Sequence, residues 1–328
     1  MTLFTAAAGN YPKVGEAPEQ QGLRRAIQKF QDGKITAAEL DAVANEVTSA
    51  VIRDQEAAGL DIVTDGLIRW EDGQTYIARK LDGFEIGGLI RYFDTNTYYR
   101  QPIVSGAVRW RAPITVDDYR FAASKATKPV KAVLTGPYTL ASLSEDRTGR
   151  GRRTLVADLA SALAEEAHAL DEAGAPYIQI DEPAWGRDPG PASLLVEALG
   201  TVFGGVKKAK RAVQISFGPA GDSLAALAGA PVDIVGLDLV EGRADLARLG
   251  AFHGAKCALA LGIFDARGTR LEDADDVLAV VRGVLDSAGP RDLYLTTNCG
   301  LEFLPRDRAE RKLAHLVAVA RRAKEVLA

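Results

Sequence analysis

The sharpest chemical signal in the chain is a pair of adjacent carboxylates, Asp181 and Glu182, directly after the apolar run 177–180. A carboxylate that turns inward from such a strand end can bind a substrate ammonium or act as a general acid or base. The same pair also suits the start of a helix, where the macrodipole stabilises acids. A thiol, Cys299, follows the run 292–296 beside Asn298. With a lowered pKa it would serve as a nucleophile or a thiolate metal ligand; without one it is a small buried hydrophobe. Asp65 and Arg69 flank the turn at Gly66. Arg69 offers a fork of donors for a substrate carboxylate or for an ion pair, and Asp65 binds substrate or caps the turn. Tyr98 and Tyr99, with Tyr92, Phe93, Trp70 and Trp110 nearby in sequence, form an aromatic lid or ordinary hairpin packing.

These residues must be carried by a regular scaffold. Eight apolar runs read as strands, at 2–8, 61–64, 130–134, 177–180, 212–217, 233–237, 257–261 and 292–296. Most are nearly continuously apolar, as strands covered on both faces should be. Between them the stretches 37–58, 155–173, 192–206, 223–228, 244–252, 273–287 and 308–327 carry helical periodicity. That alternation predicts an α/β fold, a (β/α)8 TIM barrel spanning 1–328 as one domain. The segment 83–111 breaks the rhythm and predicts a β-hairpin inserted after the second helix. In such a barrel the chemistry sits at the C-terminal ends of the strands. Asn10, Asp65, Asp181, Ser216, Asp238 and Asn298 all fall there.

Composition narrows the function classes. The 328 residues are 47% hydrophobic and 26% charged, enough to bury a large core. The formal charge of −4 leaves no basic footprint for nucleic acid. No apolar run reaches the ~18 residues that would span a bilayer. The two cysteines, Cys257 and Cys299, cannot form a disulfide framework, and the start of the chain lacks the basic region of a secretory signal, so a cytoplasmic setting is expected. None of the three histidines, His168, His253 and His315, ends a predicted strand, which argues against a serine–histidine triad. Nothing matches a Walker loop or a dinucleotide fingerprint.

Taken in order, AGNYPK at 8–13, EAAGLDIVTDG at 56–66, VSGAV at 104–108, TGPYTL at 135–140, QIDEPA at 179–184 and TNCGL at 297–301 resemble the catalytic barrel of cobalamin-independent methionine synthase, especially its short single-barrel relatives. The resemblance implies methyl transfer to a thiol, with zinc holding the thiolate through a His-x-Cys pair after the fifth strand, a Glu after the sixth and a Cys after the eighth. Here the pair reads Gln214 and Ser216, the acid is Asp238, and only Cys299 matches. Gln and Ser are poor zinc ligands, so zinc is expected to be lost or weak, held at most by Cys299 with Asp238. The short relatives carry Asp-Gly-Glu at the second turn, where this chain has Leu67, while Asp181 matches the family's other amino-acid-binding carboxylate. Neither a cobalamin-binding domain nor the folate-binding N-terminal barrel of longer members is expected. The predicted partners are a small-molecule substrate and a methyl donor, and a homo-oligomer or partner protein stays open. The expected activity is a methyl or other alkyl transfer to a small thiol or amino-acid-like acceptor, using Asp181, Glu182, Cys299 and Asp238 for chemistry. Asn10, Asp65, Arg69, Gln214, Ser216, Tyr98, Tyr99 and Asn298 are expected to line the substrate. A metal-free lyase or decarboxylase and a non-catalytic binding paralogue are the alternatives.

Overall fold

A computed structural model describes residues 2–289 and 291–327, and within them ten strands. In chain order these are β1 (Leu3–Thr5), β2 (Leu81–Arg91), β3 (Tyr98–Trp110), β4 (Lys131–Thr135), β5 (Glu145–Asp146), β6 (Tyr177–Asp181), β7 (Lys210–Ile215), β8 (Ile234–Asp238), β9 (Ala258–Phe264) and β10 (Leu293–Thr297). Seven of them make one curled sheet in the order β1-β10-β9-β8-β7-β6-β4, every neighbour parallel. Isolated parallel bridges from Ala6 to Ile62 and from Val63 to Val130 join its two edges. The ring is therefore a (β/α)8 barrel whose second stave is two residues long, shorter than the expected strand 61–64. The reason is local. Gln55 accepts from Thr64 N (2.9 Å) and donates to Thr64 O (2.9 Å), so one buried side chain replaces the pairing of a neighbouring strand.

Alternation along the strands decides what faces the barrel axis. On β6, Ile178 and Ile180 point outward into the main core, while Tyr177, Gln179 and Asp181 point inward. The N-terminal end of the barrel is filled by Ala6, Ile62, Ala212, Ile234 and Tyr294. Gln179 sits above them, accepting from Lys131 Nζ and donating to Ala8 O (2.8 Å). The barrel thus grades from apolar at one end to polar at the other.

The outer helices follow their sequence signals. Ala37–Ala58 starts in a capping box between Thr36 and Glu39 and ends at Gly59, whose φ of 91° is the left-handed geometry glycine adopts most cheaply. Among the helices not anticipated from periodicity are Gly22–Gln31, Val116–Lys125 and the short Pro137–Leu143. No helix among the described residues is long and apolar enough to cross a membrane.

The inserted hairpin pairs β2 with β3 antiparallel, from Leu81 opposite Trp110 to Arg91 opposite Tyr98. Its return to the barrel is anchored by Glu166, a fully buried side chain on the helix Arg152–Glu172. The Glu166 carboxylate accepts from Trp110 Nε1 (2.8 Å), Ile114 N (2.7 Å), Thr115 N (2.7 Å) and Thr115 Oγ1 (2.9 Å). Glu166→Ala would strand four buried donors, and is expected to cost about 3–5 kcal/mol of stability in urea unfolding. A loss below about 1 kcal/mol would show that water replaces the carboxylate at little cost.

Candidate active site

A cavity of about 380 Å³ opens at the C-terminal ends of the barrel strands, beneath the hairpin. That volume suits a small substrate or two. Asp181, Glu302, Lys13 and Cys299 line it, together with aromatic side chains that include Trp70, Tyr92 and Phe217. Asp181 ends β6 facing inward, and its Oδ1 accepts from Gln179 Nε2 (2.6 Å). Burial raises its pKa to about 7, against the opposing pull of Gln179 and Lys131. Lys131 is lowered by the same burial. Lys131, Gln179 and Asp181 form one hydrogen-bonded line from the barrel interior to the cavity floor.

Glu302 lies three residues past Cys299, on the 3-10 turn Leu301–Phe303. Asn10 Nδ2 donates to its Oε1 (3.0 Å), while its buried Oε2 has no hydrogen-bond partner. Burial is the main cause raising its pKa to about 7; Asp181 adds repulsion and Lys13 opposes it. Lys13 donates to Trp70 O and is lowered by burial. Cys299 is buried, and burial followed by the nearby Glu302 and Asp238 raises its thiol well above the ordinary range. Burial and the neighbouring carboxylates thus favour the neutral thiol.

The hairpin tip closes over this floor. Tyr92, Thr97, Tyr98 and Tyr99 all line the cavity. Tyr92 meets Phe217 edge-on at 5.6 Å between centroids, and Phe217 meets Phe303 at 5.9 Å. Asp94 fastens the tip to the barrel rim through Arg187 (2.5 Å) and Arg267 (3.3 Å). Phe217 holds a φ of 62° and Leu67 one of 51°, so two cavity residues occupy the left-handed region. Such backbone persists only where surrounding contacts fix it. For Phe217 the contact is Asp238 Oδ2, which accepts from its N–H (2.9 Å).

Several expected site residues stand elsewhere. Glu182 is fully buried and does not cap the following helix. It caps the neighbouring one, Pro137–Leu143, accepting from Tyr138 N (2.9 Å), Thr139 N (2.7 Å) and Thr139 Oγ1 (2.6 Å). Arg69 is turned away from the cavity, bound to Asp41 (3.1 Å), Asp118 (3.4 Å) and Asn45 (2.5 Å) over the ring of Phe121. Asp65 accepts from Leu67 N (3.1 Å) and borders a narrow crevice with Asp118 and Lys131 outside the main cavity. Burial, with Asp118 adding, raises its pKa to about 6.

Ser216 lines the cavity, but Gln214, two residues earlier, lies a layer deeper. The Gln214 amide fills space that a Cβ on Gly236 would occupy, and it donates to Ile215 O (3.0 Å). Asp238 is buried too, accepting from Phe217 N, Val240 N (3.0 Å), Glu241 N (2.9 Å) and Asn298 Nδ2 (3.3 Å). Burial raises it to about 6 against those bonds. Asn298 is fixed between Asp238 and Ala266 N (2.9 Å). Asp238 and Asn298 therefore brace the loops around the cavity. Glu302 and Lys13 were not read from the sequence as site residues. Their signal was proximity to the TNCGL and AGNYPK segments, since both are polar residues at the edge of a strand-end motif.

The donors at the family's zinc positions do not fit a tight zinc site. Gln214 and Ser216 supply no thiolate or imidazole, and the Asp238 oxygens already serve backbone donors and Asn298. Among the described residues, no cluster of three or more His, Cys, Asp or Glu side chains is placed to hold a metal.

Comparison with known proteins places this barrel. Residues 4–322 match the family described as cobalamin-independent synthase, catalytic domain. The methionine synthase of Saccharolobus solfataricus is 32% identical over 305 residues, which is 93% of this chain and 91% of that protein. The methionine synthase of Sulfurisphaera tokodaii is 31% identical over 93% of this chain and 89% of its own. The B12-independent methionine synthase of Shewanella sp. W3-18-1, solved in complex with selenomethionine, superposes with a TM-score of 0.83 at 25% identity, covering 100% of this chain and 99% of that one. The chain belongs to the cobalamin-independent synthase catalytic-domain family and is a methyltransferase-like enzyme of that family.

Proposed function

We propose that this protein transfers a methyl or similarly small alkyl group to a small thiol or amino-acid-like acceptor, and that it does so without zinc. The observation that carries the reading is Asp181. It is an inward carboxylate with a pKa near 7, on the floor of the cavity in a methyltransferase-like barrel. The relative solved with selenomethionine supports a sulfur amino acid or a close analogue as the acceptor class.

Without a metal to make the thiolate, a base must do it. A free thiol has a pKa of about 8.5, so a carboxylate near 7 takes its proton at a cost of only about 2 kcal/mol. The acceptor proton passes to Asp181, and the sulfur attacks the methyl carbon. The S–C bond forms while the donor–C bond breaks, its electron pair leaving with the donor. Gln179 holds Asp181 Oδ1, so Oδ2 is the oxygen that receives the proton. Ser216 and the hairpin tyrosines line the space for the acceptor. Asp181 and Glu302, two carboxyls raised into the neutral range in one cavity, favour a second reading, a metal-free lyase or decarboxylase working by acid–base transfer.

The test is a screen of small thiols, homocysteine included, with methylated products read by mass spectrometry in the presence and absence of EDTA. Methyl transfer that survives EDTA is expected, together with far less than one zinc per chain after reconstitution. About one firmly held zinc per chain, or activity that EDTA abolishes and zinc restores, would sink the metal-free reading. Turnover of a carboxylic or amino acid with no thiol methylated would favour the lyase.

A further inference from the structure

We infer that Lys131, which lies beneath the cavity and does not line it, is a positioning residue for Asp181: through the Gln179 amide it fixes which carboxylate oxygen is left to handle the substrate's proton. That this proton comes from an acceptor thiol rests on the alkyl-transfer reading above. Lys131 begins β4, two and four residues before Val133 and Thr135 of the cavity wall, so it shares their inward face one layer deeper. Its side chain is buried, and its ammonium donates to a neutral amide, Gln179 Oε1, rather than to a carboxylate. Asp65 and Asp118 border the same crevice, but Asp65 is held by Leu67 N and Asp118 by Tyr76 and Arg69. A buried ammonium that no carboxylate meets directly costs the fold stability. Its place is explained by what its charge does one amide away.

The Gln179 amide has one accepting end and one donating end, and a half-turn would exchange them in the same space. Two neighbours oppose that exchange. The Lys131 ammonium only donates, so it takes Oε1, and Ala8 O only accepts, so it takes one N–H of Nε2 (2.8 Å). The other N–H is thereby aimed at Asp181 Oδ1, at 2.6 Å. With Oδ1 facing a donor, a proton on Asp181 sits on Oδ2, which has no hydrogen-bond partner and is open to the cavity that Asp181 lines. The lysine also polarises the amide, and the N–H at Oδ1 favours the ionised carboxylate over the neutral one. Charge and hydrogen bond thus act together against the burial that holds the proton on Asp181. Glu302, Glu182 and Tyr92 are the other titratable groups that feel the charge of Asp181, and each, once ionised, would oppose release of that proton. Lys131 is the cation that offsets them.

The experiment is a pH titration of Asp181 in the full chain without substrate, followed by the infrared C=O band of its protonated carboxyl and assigned by the loss of that band in Asp181→Asn. Lys131→Met is expected to move the midpoint up by about one pH unit. The rising limb of kcat/KM for thiol alkylation should move with it, so that the rate falls about tenfold near pH 6 and little near pH 9. Lys131→Gln, which can keep an N–H for Gln179 Oε1 and removes only the charge, is expected to move the midpoint the same way, and it carries the test if the methionine variant does not fold. A midpoint that stays within about 0.3 unit in a folded variant, or a kcat/KM lowered by one factor at every pH, overturns the role of Lys131. If the midpoint moves as expected while no thiol is alkylated at any pH, Lys131 still positions Asp181 and the alkyl-transfer reading alone falls.

Discussion

Asp181→Asn is expected to lower kcat/KM for alkyl transfer by about 10²–10⁴-fold, the range that a positioned general base contributes. The loss should fall on kcat, with KM changed little, because the amide keeps the shape of the carboxylate and only the proton acceptor is gone. A carboxylate that merely anchored a substrate ammonium would behave differently, raising KM first. Asparagine can still accept from Gln179 Nε2 through its Oδ1, so the variant keeps the inward hydrogen bond of the native side chain. Its melting temperature should stay within a few degrees of the parent, since one buried carboxyl is exchanged for a neutral amide. In the native enzyme kcat/KM should rise with pH through about 7, where Asp181 loses the proton that burial helps it keep. A variant with more than about a tenth of native kcat/KM would remove Asp181 from the chemistry.

The direction of Asp181 was legible because β6 alternates, with Ile178 and Ile180 outward fixing Gln179 and Asp181 inward. The helix Ala37–Ala58 was legible to the residue because its capping box and Gly59 are local signals. The hairpin was legible from composition, and β2 and β3 carry it. What could not be read is partner choice across the sequence. Glu182 looked like a helix-start acid, and it is one, but for a helix more than forty residues earlier whose N-terminus the barrel brings alongside. Arg69 was equally suited to a substrate clamp and to an ion pair, and the position of Asp41, Asn45 and Asp118 decides it. Asp238 kept the acid expected at its position, yet the backbone N–H groups of Phe217, Val240 and Glu241 consume it. Glu302 escaped notice for the opposite reason. An acid on a short turn has no periodicity to mark it, and only burial beside Asn10 and Lys13 makes it part of a site.

The same burial makes stability depend on pH in an unusual direction. Glu182 is fully enclosed, and desolvation raises its pKa from 4.5 to about 7 even against three hydrogen bonds from Tyr138 and Thr139. The native state therefore holds that proton more tightly than the unfolded chain does. The resulting stabilisation is complete below the unfolded pKa of about 4.3 and is lost as pH rises through about 7. For Glu182 alone this amounts to roughly 3–4 kcal/mol. Glu302, raised to about 7, and Asp65 and Asp238, raised to about 6, act in the same direction. Asp171 acts oppositely. Its pKa is lowered because the backbone N–H groups of Lys207, Lys208 and Ala209 outweigh its burial, so its contribution disappears only on the acid side. Thermal melts from pH 5 to pH 8 should accordingly show the melting temperature falling by several degrees as pH rises. Glu182→Gln should melt lower than the parent at pH 5, because its NH₂ faces donors, and should show a visibly shallower decline toward pH 8. A melting temperature that climbs between pH 5 and pH 8, or an unchanged slope in Glu182→Gln, would mean that water or the helix N-terminus keeps Glu182 ionised in the fold.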